Sequence, residues 1–164
     1  MRIALFGRTP KATNLPYLEV VLEKLVEEGV DFAVYHTMIG ACDEIKADEF
    51  PEMHFSTFAD EEELENFDPH FLISLGGDGT ILDATVLIQN QDIPILGINM
   101  GRLGFLANVA KSNIETSLDA LFSGRFQLDF RSLLQIRTSC SRVVKPNFAL
   151  NEITIARKET TSMI

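Results

Sequence analysis

Apolar positions in this chain gather in short runs, separated by polar stretches that carry glycine or proline. Residues 2–7, RIALFG, are such a run closed by glycine, the pattern of a buried strand. After the polar loop RTPKATN, the segment Leu15–Gly29 places Leu18, Val21, Leu22, Leu25 and Val26 at helical spacing, and Gly29 is a suitable stop. Val30–Thr37 alternates and is β-rich, which predicts a second strand. Strand, helix, strand is the repeating unit of a parallel α/β sheet. Residues 39–68 show no decisive period, and the acidic run Asp60–Phe67 reads as a solvated helix face. Pro69–Leu75 predicts the next buried strand. Thr80–Gln89 is apolar nearly all round except at Asp83, so it predicts a buried helix. Asp92–Asn99 predicts a further strand. Lys111–Gly124 predicts an amphipathic helix, with Ile114, Leu118, Leu121 and Phe122 on one side and Gly124 as its cap.

The pattern changes after Gly124. Two strand-like segments follow, and no helical period separates them. A boundary near residues 125–128 divides the chain into an α/β domain, 1–126, and the first strands of a β-rich domain, 127–164. A unit of about forty residues rarely folds alone, so the second domain is expected to be incomplete within these residues.

Composition narrows the function. The 164 residues are 46% apolar, enough for a real core, and carry a formal charge of −10. Such a surface repels nucleic acid, so no nucleic-acid partner is expected. An anionic small molecule needs backbone N–H groups, a metal ion or a few local cations to hold it. Cys42 and Cys140 make neither a disulfide framework nor a zinc spacing, and His36, His54 and His70 form no ligand pair. No metal-ligating residues are therefore assigned. The N-terminus lacks the apolar run of a signal peptide, and no stretch is long enough to cross a bilayer. The expectation is a cytoplasmic protein with no membrane association.

The turn Gly76-Gly77-Asp78-Gly79-Thr80 falls between a predicted strand and a predicted helix. In an open parallel sheet, ligands bind at the carboxyl ends of the strands. Glycines let a ligand approach the backbone closely, and the amides of Gly79, Thr80 and Ile81 are expected to open a helix whose N-terminus favours anions. The turn has neither the lysine and spacing of a P-loop nor the GxGxxG of a dinucleotide-binding turn. The other reading is an ordinary strand-to-helix turn, with Asp78 or Thr80 capping the helix. Asp78 weighs against it. A carboxylate repels phosphate unless it serves an acceptor hydroxyl or a Mg²⁺ ion, the two roles a phosphoryl transferase needs.

GGDGT followed by an apolar helix resembles the signature of the superfamily that contains NAD kinases, diacylglycerol and sphingosine kinases, and phosphofructokinases. LGINMGRLGFLAN (Leu96–Asn108) resembles the NAD kinase loop, and FALNEITI (Phe148–Ile155) the Asn-Glu motif of NAD kinases. The resemblance implies a Rossmann-like or phosphofructokinase-like parallel sheet domain, followed by the beginning of an all-β, β-sandwich domain. It implies phosphotransfer from ATP to the 2′-hydroxyl of the adenosine ribose of NAD, giving NADP, with Mg²⁺ or another divalent cation. It also implies a homo-oligomer, dimer or tetramer, for the full-length protein. By the same resemblance Asp78 is the general base, and Gly79 packs its backbone against the dinucleotide. Phe105 lies beside the adenine, and Asn151 and Glu152 contact NAD. Gly76, Gly77, Thr80, Arg8, Lys11 and Arg102 are weaker candidates for phosphate or ATP. The family's further Gly-Ser-Thr-Ala-type motif is absent, so the chain alone is expected to lack full activity. The alternatives are a lipid kinase of the diacylglycerol or sphingosine type and a non-catalytic nucleotide-binding module.

Overall fold

A computed structural model describes residues 1–89, 91–102, 104–137, 139 and 146–154. They form two compact units, Met1–Leu128 and Asp129–Ile164. In the first, strands β1 (Arg2–Gly7), β2 (Asp31–Tyr35), β3 (Ser56–Phe58), β4 (Phe71–Gly76), β5 (Ile95–Asn99) and β6 (Val109–Ala110) make one sheet. Its order is β3-β2-β1-β4-β5-β6, and every pairing is parallel. This is the doubly wound order, in which the chain winds outward in both directions from a central pair. That pair is β1 and β4, in register from Ile3–Phe71 to Gly7–Leu75. Both strands end in glycine, Gly7 and Gly76, so the switch point is lined by backbone.

Helices cover both faces, because each central strand is apolar on both sides. On one face α1 (Leu15–Glu27), α2 (Ile39–Glu49) and α5 (Ile114–Phe122) bury Leu18, Leu22, Leu25, Cys42, Leu118 and Leu121 against Ile3, Leu5, Ile73 and Ile98. On the other, α3 (Glu61–Phe67) and α4 (Asp78–Ile88) bury Leu64, Ala84 and Ile88 against Ala4, Phe6 and Leu72. Lys24 of α1 pairs with Asp119 of α5 at 3.1 Å, tying the two outer helices together.

Local signals explain the ends. Proline opens α1, and Gly29 takes a φ of +60° just past it, a conformation glycine adopts without steric cost. Asp60 caps α3 by accepting from the Glu63 amide, while the Glu63 carboxylate reaches back to the amide of Ala59. The acidic run is thus a solvated helix, as expected.

Several elements depart from the sequence reading. Within the stretch 39–68, where the sequence marked a helix face at Asp60–Phe67, the structure adds α2 and β3. The helix expected from Lys111 is a single 3₁₀ turn followed by α5, and the two-residue strand β6 precedes it. Helix α4 begins at Asp78, not at Gly79 or Thr80. In the second unit, β7 (Leu134–Gln135) pairs antiparallel with β8 (Phe148–Ala149). Residues 138, 140–145 and 155–164 of the two strand-like segments lie outside the described residues.

Candidate active site

The carboxyl ends of β1, β4 and β5 converge at the switch point. A cavity of about 420 Å³ opens there, lined by residues 8–11 after β1, Gly76, Gly77 and Thr80 after β4, and 99–102 after β5. Arg8, Lys11, Arg102 and Lys111 all line it, and among the described residues no carboxylate does. In a chain of charge −10, this is a local reversal of sign, of the kind that concentrates anions. Sequence reasoning singled out Arg8, Lys11, Gly76, Gly77, Thr80 and Arg102, and the cavity brings all six together. It missed Lys111, whose Nζ donates to Asn14 Oδ1 at 2.8 Å and lies 4.5 Å from the Tyr17 ring centroid. A lysine at the foot of a predicted helix gives no signal in the sequence; the short strand β6 delivers it. Arg8 is engaged with Asp83, the one acid of α4 beyond its first residue, at 3.0 Å, although both side chains are largely solvated.

The glycine turn is shaped by contact with its own helix. A β-carbon on Gly76 would stand 2.6 Å from Thr80 Cβ, so glycine is required there for space. Gly77 and Gly79 face open space, with nothing within 4 Å of where a β-carbon would stand. That leaves room beside both glycines. Because α4 starts early, the amides of Thr80 and Ile81 donate to the Gly77 carbonyl, at 2.9 and 3.3 Å. The expectation that they face an anion is therefore corrected. Among the described residues no acceptor is paired with the first-turn amides of Asp78 and Gly79.

Asp78 does not cap the helix. Gly77 holds the N-cap position, without a side-chain bond. The Asp78 carboxylate reaches across to the loop after β5 and accepts three backbone N–H groups. Phe105 donates to Oδ2 at 2.8 Å; Leu106 and Ala107 each donate to Oδ1 at 3.0 Å. These donors, Ala107 first, then Phe105 and Leu106, hold its pKa below the ordinary carboxylate value. The loop is pinned from beneath by buried Asn99. Its amide nitrogen donates to the carbonyls of Arg102 and Ala107, at 2.7 and 3.3 Å, and its oxygen accepts the Gly101 amide at 2.8 Å. Met100 N–H adds a bond to the Gly76 carbonyl at 2.9 Å, joining loop to turn directly.

Held in this way, the loop presents Phe105 with 94% of its surface exposed. The residue is therefore not part of the core. An apolar ring fixed in water on a rigid backbone is poised for a flat partner. Asn151 and Glu152 lie just past β8 in the second unit and are exposed. Cys42 is buried, which pushes its thiol up to about 12 and leaves it inert as a nucleophile. Cys140 lies outside the described residues. Among the described residues no three His, Cys, Asp or Glu side chains converge as a metal site, so these residues do not build a metal cage.

Residues 3–126 match the family model of the ATP-NAD kinase N-terminal domain. This chain belongs to the NAD kinase family. The NAD kinase of Christiangramia forsetii is 42% identical over 168 aligned residues, covering all of this chain and 55% of that protein. The NAD kinase of Methanothermobacter thermautotrophicus is 32% identical over 164 residues, again covering all of this chain and 52% of that protein. The chain thus spans about half the length of these relatives. A crystal structure of yeast NADH kinase complexed with NADH superposes with a TM-score of 0.66 at 21% identity, covering 81% of this chain and 41% of that one. That likeness speaks to the fold, and the α/β sheet agrees with it.

Proposed function

We propose that this chain carries the phosphate-binding and proton-accepting part of an ATP-dependent NAD kinase. One observation carries the reading: a carboxylate oriented by three amides stands at the switch point, beside a cation-lined cavity. A carboxylate offers about four acceptor positions. Among the described residues three are taken, two on Oδ1 and one on Oδ2, and Oδ2, with the fewer donors, is assigned to the ribose 2′-hydroxyl.

In the reaction the 2′-oxygen forms a bond to the γ-phosphorus as the bond from that phosphorus to the β-bridging oxygen breaks. ADP departs, and the hydroxyl proton passes to Asp78 Oδ2. Its lowered pKa makes Asp78 a weak base, which suits a loose transition state, where the hydroxyl is oriented first and loses its proton late. Arg8, Lys11, Arg102 and Lys111 supply positive charge to the phosphates, and positioning does most of the rest. Arg8 must exchange Asp83 for phosphate to take part. A divalent cation would come in with ATP and would supply charge neutralisation at the phosphates, beside the cations of the cavity. Phe105 stacks on the adenine, and Gly79 leaves it and the ribose room. Asn151 and Glu152 are assigned to NAD, the carboxylate to vicinal hydroxyls and the amide to a polar edge. The cytoplasm and a homo-oligomeric full-length protein belong to the same reading. Among the described residues no helix is long and apolar enough to cross a membrane.

The full-length protein, given NAD, ATP and Mg²⁺, is expected to produce NADP. Asp78→Asn should lower kcat by about 10²- to 10⁴-fold with a native circular dichroism spectrum. Phosphorylation of diacylglycerol in preference to NAD would replace this reading with the lipid-kinase one.

A further inference from the structure

The loop after β5 contains a second constraint that its hydrogen bonds do not explain. Gly104 precedes the three donor amides. Among the described residues the glycines with a positive φ are Gly29 and Gly124. What forbids a side chain is space. A β-carbon on Gly104 would overlap Cγ and both oxygens of Asp78, inside the 3.0 Å that real β-carbons essentially never breach. Its three nearest neighbours would all be atoms of that one carboxylate. By contrast, among the described residues a β-carbon on Gly101 in the same loop would meet only Asn99 Oδ1, at an ordinary 3.9 Å.

We propose that Gly104 is a positioning residue of the reaction, whose missing side chain lets residues 105–107 close their amides on Asp78 and aim Oδ2 at the acceptor hydroxyl. The proposal rests on the reading of Asp78 as the group that takes the hydroxyl proton. The consequence is a mechanical link. The same closure that orients the carboxylate fixes the backbone carrying Phe105, so the nucleotide base and the reacting hydroxyl are placed by a single contact. A β-carbon at 104 must push either the carboxylate or the loop away. The three amides then separate from their acceptor, the carboxyl titrates nearer its ordinary value, and Oδ2 loses its direction. Displacements of about 1 Å around reacting atoms cost roughly a hundredfold in rate.

The test uses Gly104→Ala in the full-length protein. Its kcat for NAD phosphorylation should fall about a hundredfold, with KM for ATP little changed, and the carboxyl resonance of Asp78 should titrate at higher pH than in the wild type. A thermal-melting cycle with Asp78→Ala gives a readout independent of activity. Removing the carboxylate removes the overlap, so Gly104→Ala should lower Tm in the wild-type background and not in Asp78→Ala. A Gly104→Ala protein that fails to fold but is rescued by Asp78→Ala supports the proposal. Equal losses of Tm in both backgrounds, failure to fold in both, or wild-type kcat and titration in Gly104→Ala would overturn it. Wild-type protein that makes no NADP would instead bring down the kinase reading, while the melting cycle still judges the contact.

Discussion

Asp78 has two duties that conflict in a simple substitution. It is the proposed proton acceptor, and its side chain also gathers the amides of Phe105, Leu106 and Ala107. An asparagine retains one carbonyl oxygen and turns the other position into an NH₂ donor, which then faces a backbone donor. Asp78→Asn is therefore predicted to raise KM for NAD as well as lower kcat, because Phe105 loses its support. Kinetics at varied NAD check this; a pure kcat effect would show that the loop holds without the carboxylate. The pH dependence follows from the direction of the shift. Asp78 has a depressed folded pKa. Its contribution to stability is present above the ordinary value near ~3.9 and is lost as pH falls through the folded value. Asp78 should thus give no activity limb between about pH 5 and 8. Asp78 and Phe105 were both legible in the sequence as candidates, one as a carboxylate among glycines, the other in a motif. Their contact was not, since 27 residues separate them and only the pairing of β4 with β5 brings their loops together.

The glycines of the turn after β4 divide by what surrounds them. Gly76 lies under Thr80, and Gly79 sits in the open first turn of α4. Gly76→Ala is predicted to destabilise the protein by about 1–3 kcal/mol through overpacking. Gly79→Ala should be neutral or stabilising by about 0.4–1 kcal/mol, because it restricts the unfolded chain at a helical position. It should nevertheless weaken nucleotide binding, since the new methyl group enters the space left for ligand. Urea melts of both variants with a nucleotide titration of the second separate these outcomes; unchanged affinity in Gly79→Ala would mean the ligand does not approach there. A sequence pattern does not make this division. Both glycines stand in one motif, and only the position of the Thr80 side chain distinguishes them. Legibility varied in the same way among larger elements. Helix α1 and strands β1, β4 and β5 were evident because each carries a sustained apolar period or run. Helix α2 was not, because its buried residues are only Cys42 and Ile45. Strands β3 and β6 are three and two residues long, too short to show a period.

At the scale of the whole molecule, burial is distributed very unevenly along the chain. Every buried residue among those described lies between Ile3 and Leu121, and both faces of the parallel sheet draw their helices from that span. Phe126 extends this unit to its last residues, packing edge-on against Phe71 with ring centroids 5.3 Å apart. The pair β7–β8, two residues on each strand, has exposed or half-buried side chains. A two-stranded ribbon of that size is marginal in water at best. The physical boundary thus falls at Leu128–Asp129, close to where the helical period ends in the sequence. A fragment of residues 1–128 is predicted to unfold in one cooperative thermal transition, and a peptide of residues 129–164 to show none. The fragment contains the whole cation-lined cavity and the Asp78 loop contact, so it should also bind inorganic triphosphate, more weakly as salt is raised. Calorimetry with and without triphosphate checks both parts. A fragment that melts without cooperativity would mean that the sheet and its helices depend on residues beyond 128. A cooperative melt unmoved by triphosphate would locate the anion's essential partners outside this unit and take the cavity out of the phosphate-binding reading.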